Sequence, residues 1–185
     1  MASPIVIGLA GPSCSGKSSI AAMLAGAVGL KTFSLDDFWI RTSPKVYREG
    51  YRSFERPELY DGGRLHGRLS KASATVPVLA EGFLLFRYPE IWNVLTHRFF
   101  IELPDSEILA RRATRRSAGM GGSRSAEAGF EAIGLAEWRD FGSCQAAFPG
   151  VTKLDGMLPL PKLAAAILVA TNLDAGLEPR IQLSA

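Results

Sequence analysis

The run Gly11-Pro12-Ser13-Cys14-Ser15-Gly16-Lys17-Ser18 is a complete G-x-x-x-x-G-K-S phosphate loop, and it restricts the fold of this chain more than any other feature. Such a loop works where a buried strand delivers it and a helix leaves it. Its backbone N–H groups wrap a phosphate while the helix dipole faces the same charge. Both flanks are present: an apolar run at residues 4–10 precedes the loop, and residues 17–28 carry a helical pattern behind it. The pattern implies a nucleoside triphosphate, ATP or GTP, with Lys17 reaching the β- and γ-phosphates and the Ser18 hydroxyl on Mg2+. Gly11, Ser13, Cys14, Ser15, Gly16, Lys17, Ser18 and Ser19 are the expected nucleotide-binding residues.

The rest of the chain continues the alternation that this loop begins. Apolar runs of strand length fall at 4–10, 31–35, 76–80, 98–103 and 151–154, with helical patterns at 17–28, 57–70, 105–116, 131–147 and 161–172. Strands separated by helices predict an α/β fold of the P-loop NTPase type. Its three α/β/α layers would hold a five-stranded, mostly parallel sheet with helices on both faces. Pro57 and Pro161 suit first helical turns, and Asp105 is expected as an N-cap. Segment 41–56 has no clear period and reads as loop; segment 117–129, rich in Gly, Ser and Ala, reads as a mobile flap.

Composition bounds the partners. The 185 residues, 47% hydrophobic and 21% charged, contain no linker or repeat and fit one domain over 1–185, with a lid at about 111–130 and a C-terminal tail at about 173–185. No apolar run approaches the ~18 residues of a spanning helix, and no basic leader opens the chain, so a cytoplasmic protein with no membrane partner is expected. Cys14 and Cys144 are expected as reduced thiols, because a disulfide at Cys14 would obstruct the phosphate loop. The net charge of +3 is concentrated in Arg111, Arg112, Arg115, Arg116 and Arg124, with no aromatic residues interleaved. That pattern speaks for phosphate chemistry and against nucleic-acid binding.

Ligands of an open parallel sheet bind beyond the carboxyl ends of its strands. There the second strand runs into Asp36-Asp37-Phe38-Trp39 and the third into Glu81-Gly82, both facing the crevice of the phosphate loop. Phosphoryl transfer needs the γ-phosphate held, its charge neutralised and an attacking oxygen aligned in line. Asp36 answers the last need, either as general base for a hydroxyl or as the group that orients it while binding Mg2+ through water; a turn hydrogen bond is the alternative. Glu81, after an apolar run, is expected to hold Mg2+ or its waters, since an unpaired carboxylate there is costly to bury; an exposed strand end is the alternative.

Arg111, Arg112, Arg115 and Arg116 share one helix end, paired at i, i+4. The helix dipole alone favours arginines at that end. Four together repel unless an anion compensates, which points to a phosphate-facing lid with at least one guanidinium on ATP. Trp39 and Phe54 either stack on a planar substrate group or pack against the domain. His66 and His97 lack ligand spacing and take no role.

In this order, Gly11 to Ser18, Asp36 to Trp39, the Glu81-Gly82-Phe83-Leu84-Leu85-Phe86 run and the Arg111 to Arg116 cluster, the chain resembles the uridine kinase-like P-loop kinases. Within them it looks most like the nicotinamide riboside kinases. Tyr88-Pro89, Ile91-Trp92-Asn93 and Lys153-Leu154-Asp155-Gly156 extend the likeness, which spans most of residues 4–172. The resemblance implies a kinase moving the γ-phosphate of ATP, with Mg2+, to the 5′-hydroxyl of a riboside or similar small hydroxylated acceptor, as a monomer or homodimer. It implies Asp36 as the catalytic aspartate, Glu81 as the metal-associated glutamate, Arg112 on the ribose and Arg115 on the ATP phosphates. Lys17, Asp36, Glu81 and Arg112 are then the catalytic set, and Trp39, Phe54, Glu55, Asp36 and Arg112 the acceptor set.

This chain departs from the family at three places. Glu55 stands where the family has an aspartate on the ribose 2′- and 3′-hydroxyls. The segment between Asp61 and Val78 is too short for the hairpin that covers the base in uridine kinases, and Ser117 stands near the lid position of an aromatic residue. A pantothenate kinase-like acceptor and an ATP-binding module without phosphoryl transfer therefore stay open. A GTPase switch is disfavoured, because Thr171-Asn172-Leu173-Asp174 lacks the lysine of a guanine-reading N-K-x-D.

Overall fold

The computed structural model describes residues 4–43, 45–120 and 128–173. Strands among them are β1 (Val6–Ala10), β2 (Lys31–Ser34), β3 (Tyr47–Arg48), β4 (Tyr51–Arg52), β5 (Val78–Glu81), β6 (His97–Glu102) and β7 (Thr152–Asp155). Helices are α1 (Lys17–Val28), α2 (Gly62–Ser73), the one-turn α3 (Pro89–Trp92), α4 (Asp105–Ser117) and α5 (Leu160–Thr171).

Five strands form one sheet in the order β2-β5-β1-β6-β7, and every adjacent pair is parallel, so the sheet is parallel throughout. All five residues of β1 are buried, as a central strand covered on both faces requires. Its alternating side chains separate the two layers. Ile7 and Leu9 pack with Ile20 and Leu24 of α1 and Leu163 and Ile167 of α5, while Val6 and Ala10 face Leu65 and Leu69 of α2 with Phe130 and Trp138 beyond. Each fully buried Leu or Ile here contributes about 1.5–3 kcal/mol. All five carboxyl ends point to one edge.

The expected elements need four corrections. Helix 57–70 is broken: a 3-10 turn at Pro57–Leu59 ends where Tyr60 turns extended and bridges Trp39, with Ile40 N–H on Leu59 O and Asp61 N–H on Phe38 O, both at 2.9 Å. Helix α2 then starts afresh at Gly62, capped by Asp61 Oδ1, which accepts Arg64 N–H at 2.8 Å. The 41–56 loop contains the β3–β4 hairpin, turned by Glu49 and Gly50 with φ of 51° and 81°.

Helix 131–147 loosens and tightens in turn: π-wound at Phe130–Gly134 and Trp138–Gly142, α at Leu135–Glu137, and 3-10 at Ser143–Ala147. Asp105 is the first residue of α4 rather than its cap, a place held by Pro104, and its carboxylate binds Arg139 instead. Of the 117–129 flap, Ser117 closes α4, whereas residues 121–127 lie outside the described residues, as does Arg124.

Candidate active site

The phosphate loop leaves β1 through Gly11 and enters α1 through Gly16, with φ of 148° and 92°. A Cβ at Gly11 would lie 2.8 Å from the Ile101 carbonyl oxygen, and one at Gly16 would lie 2.5 Å from Leu160 Cδ2. Glycine is therefore required at both ends of the cradle. Lys17, 8% exposed, donates from Nζ to the Pro12 carbonyl at 2.7 Å and reaches Ser15 Oγ at 3.5 Å. Burial lowers its proton affinity, and the carboxylates of Glu81, Asp36 and Glu55 pull the other way.

Those carboxylates arrive on separate elements. Glu81 is the last residue of β5, in register with Leu9 and Ser34, and is 5% exposed. Its Oε1 accepts the Ser18 hydroxyl at 3.0 Å, which resolves the burial cost expected of it. Ser34 at the end of β2 caps a 3-10 turn at Leu35–Phe38 by accepting Asp36 N–H at 3.4 Å, and this turn presents Asp36 to the cleft. Loss of hydration among the surrounding atoms, then the charge of Glu81, raise the Asp36 pKa. Glu55, half-buried, is pushed up to about 7 by desolvation first; Arg112 opposes that shift and Asp36 adds to it.

One cleft of about 840 Å3 gathers most of the expected residues. Ser13, Cys14, Gly16, Lys17, Ser18, Ser19 and Arg115 line it, together with Asp36, Glu81, Trp39, Phe54 and Glu55. Gly11 and Ser15 are buried beneath the loop and do not line it. Arg112 does not line it either: Nη1 donates to Ser13 Oγ at 2.8 Å, and the guanidinium lies 3.6 Å from the Phe130 ring centroid. From there its charge acts on Glu55.

The arginine cluster is partly neutralised by the chain itself. Arg111 pairs with Glu107 at 2.6 Å and donates to the Gly156 carbonyl at 3.0 Å, while Arg116 pairs with Glu131 at 3.3 Å. Arg115 donates to the Met120 carbonyl at 2.8 Å and stays on the cleft wall. The need for an outside anion is therefore smaller than four clustered guanidiniums suggest.

Trp39 and Phe54 belong to a larger aromatic wall. Their centroids are 5.7 Å apart, Tyr60 meets Trp39 edge-on at 5.2 Å, and Phe83 meets Tyr60 at 5.5 Å. Arg52 lies over both Trp39 and Phe54. Arg111 of the expected arginine cluster lines the cleft as well, and Tyr60, Phe83, Thr114 and Met120 line it without having been expected there. Phe83 was within reach of sequence reasoning, since it stands two residues beyond Glu81.

This chain has an α/β fold built on a five-stranded parallel sheet with a phosphate loop after its central strand, and it shares that fold with solved kinase structures. No family model and no curated protein matches the chain. Solved structures do. A gluconokinase from Sinorhizobium meliloti is 17% identical with a TM-score of 0.62, over 93% of this chain and 94% of its own. A sugar kinase from Janibacter sp. is 20% identical with a TM-score of 0.59, over 92% and 95%. Shikimate kinase from Aquifex aeolicus is 18% identical with a TM-score of 0.52, over 92% and 98%. Among the described residues no helix is long and apolar enough to cross a membrane, and both cysteines are free.

Proposed function

We propose that this chain is an ATP- and Mg2+-dependent kinase that phosphorylates a hydroxyl of a small metabolite, with a riboside 5′-hydroxyl as the acceptor that best suits the cleft. The Ser18–Glu81 hydrogen bond carries the reading, because it joins the phosphate loop to a strand-end carboxylate in the cleft that also holds Lys17 and Asp36. Similar kinases of known structure act, by their names, on gluconate, sugars and shikimate, and they support a small hydroxylated acceptor.

The donor set fits Mg2+ that enters with phosphate. Among the described residues no group of three or more His, Cys, Asp or Glu stands ready to hold a metal alone, whereas Ser18 and Glu81 meet beside the loop with Asp36 in the same cleft. Mg2+ usually keeps several waters and takes one or two carboxylates plus substrate phosphates. Bound there, it would neutralise charge on the phosphates.

The chain's own residues do the rest. The loop N–H groups and Lys17 hold the triphosphate, and Arg115 closes on it from α4. Asp36 orients the acceptor hydroxyl and takes its proton, a task suited to a carboxylate whose proton affinity is raised. The acceptor oxygen bonds to the γ-phosphorus, the bond from that phosphorus to the bridging oxygen breaks, and ADP leaves. Glu55 accepts from the sugar hydroxyls, and the wall of Trp39, Phe54, Tyr60 and Phe83 covers a planar group. Free Cys14 on the phosphate loop fits a reducing cytoplasm.

The test is a coupled ADP-release screen with ATP and Mg2+ against nicotinamide riboside, uridine, pantothenate, gluconate and shikimate. Riboside-stimulated turnover is the expected result. Binding of ATP with no stimulation by any acceptor would favour a nucleotide-binding module instead.

A further inference from the structure

One buried charge has no part in the site so far described. Glu137, 1% exposed, accepts the Ser53 hydroxyl on Oε2 at 2.6 Å, while its Oε1 has no hydrogen-bond partner and lies 4.0 Å from Arg56 Nη1. A carboxylate held this way is expensive to bury, and a neutral side chain would fill the same space without that cost.

The charge acts on one short piece of chain. Ser53, itself 1% exposed, and Arg56 bracket Phe54 and Glu55, which bring a ring and a carboxylate to the cleft. Both brackets meet Glu137. Arg56 also lies over Phe141, 5.3 Å from its centroid, on the same helical stretch. That stretch carries Phe130 under Arg112, which in turn donates to Ser13 of the phosphate loop. A single segment thus touches the acceptor rim and backs the phosphate loop.

We propose that Glu137 is a positioning residue: by holding Ser53 and Arg56 it sets where Phe54 and Glu55 stand relative to Asp36, without touching the acceptor itself. Its negative charge also adds to the proton affinity of Glu55, alongside Asp36 and against Arg112 and Lys17. The consequence for turnover rests on the kinase reading given above; the positioning itself is a property of the protein alone.

Two arms keep those apart. In the first, which needs no acceptor, the Glu55 carboxyl of 13C-glutamate-labelled protein is titrated by NMR, and contacts between the Trp39 and Phe54 rings are read from NOEs. Glu137→Gln and Glu137→Ala should both lower the Glu55 midpoint from about 7, because a repelling charge is gone. The Trp39–Phe54 NOEs should survive in Glu137→Gln, which keeps an oxygen for Ser53, and fade in Glu137→Ala.

The second arm uses nicotinamide riboside as the acceptor probe. Glu137→Ala should raise its KM about tenfold, the scale of one lost hydrogen bond to a charged group, with the ATP KM unchanged within about twofold. Glu137→Gln should restore most of that loss. Where Glu137→Ala does not fold, Ser53→Ala removes the same bond from the other side and should reproduce the KM rise.

An unmoved Glu55 midpoint with intact NOEs in Glu137→Ala overturns the proposal, whatever the turnover. Equal damage to ATP and acceptor KM overturns it as well, since it marks general loss of structure. Absence of turnover in the unaltered protein, with the first arm as expected, counts against the riboside kinase reading and supports the positioning.

Discussion

Ser18 donates its hydroxyl proton to Glu81 at 3.0 Å across 63 positions of sequence, tying the first turn of α1 to the end of β5. β1, which delivers the phosphate loop, lies directly beside β5 in the sheet, with Leu9 opposite Glu81. The bond pre-places the two groups that would share Mg2+ with the phosphates. The hydroxyl gives the buried carboxylate a hydrogen-bond partner, which a carboxylate facing only apolar neighbours would lack.

Glu81→Gln keeps an oxygen for Ser18 but removes the charge. Stability should change by less than about 1 kcal/mol, while the Mg2+ concentration for half-maximal turnover rises about 10–100-fold. Turnover measured against Mg2+ at saturating ATP decides it, and an unshifted Mg2+ curve removes Glu81 from the metal site.

Asp36→Asn and Lys17→Ala should separate transfer from binding. Asp36→Asn is expected to leave ATP affinity within about twofold and cut kcat about a hundredfold or more. Lys17→Ala should lose ATP affinity itself. Calorimetric ATP titration beside steady-state turnover is the measurement, and parallel loss of ATP binding in Asp36→Asn contradicts its role as base.

The legible parts of this protein were those fixed by local chemistry. Gly11 and Gly16 stand where positive φ and close neighbours exclude any Cβ, and their spacing to Lys17 and Ser18 is written along the chain. Glu81 and Asp36 could be read because they end apolar runs. Glu137 could not, since its partner Ser53 is 84 positions away and no local pattern links them. Tyr60 was hidden inside an assumed helix, because its extended backbone is dictated by Trp39 across the bridge rather than by its neighbours in sequence. The β3–β4 turn escaped for the opposite reason: Glu49 adopts a left-handed conformation that Asn or Asp would have announced. Arg112 was expected on the ribose but stands behind Ser13, since Phe130 offers its ring face to the guanidinium.

Gly16→Ala tests the cradle without altering any charge. Forcing Ala into a left-handed conformation costs about 1–2 kcal/mol, and the new Cβ must also displace Leu160, which starts 2.5 Å away. A fall in Tm of about 2–8 °C is expected for a domain of this size, together with loss of ATP binding. A variant that binds ATP normally would show that the loop does not wrap the phosphate at this residue.

The Glu55 carboxyl gives a pH dependence whose sign follows from its surroundings. Arg112 and Lys17 favour its charged form, Asp36 and Glu137 oppose it, and desolvation leaves it near 7 instead of the ordinary 4.5. The folded protein therefore holds this proton more tightly than the unfolded chain does. Its contribution to stability is fully present below the unfolded value and is lost as pH rises through about 7. Glu55→Gln cannot ionise, so it should melt above the unaltered protein at pH 8 and close to it at pH 4. Thermal melts of the two proteins across that range isolate Glu55 from Asp36, which is shared by both. The same ionisation should make acceptor kcat/KM climb between about pH 6 and 8 around that midpoint, because only the carboxylate accepts from two sugar hydroxyls. In Glu55→Gln that rise should vanish while the acceptor KM stays high throughout, and a rise that persists unchanged would take Glu55 out of the acceptor site.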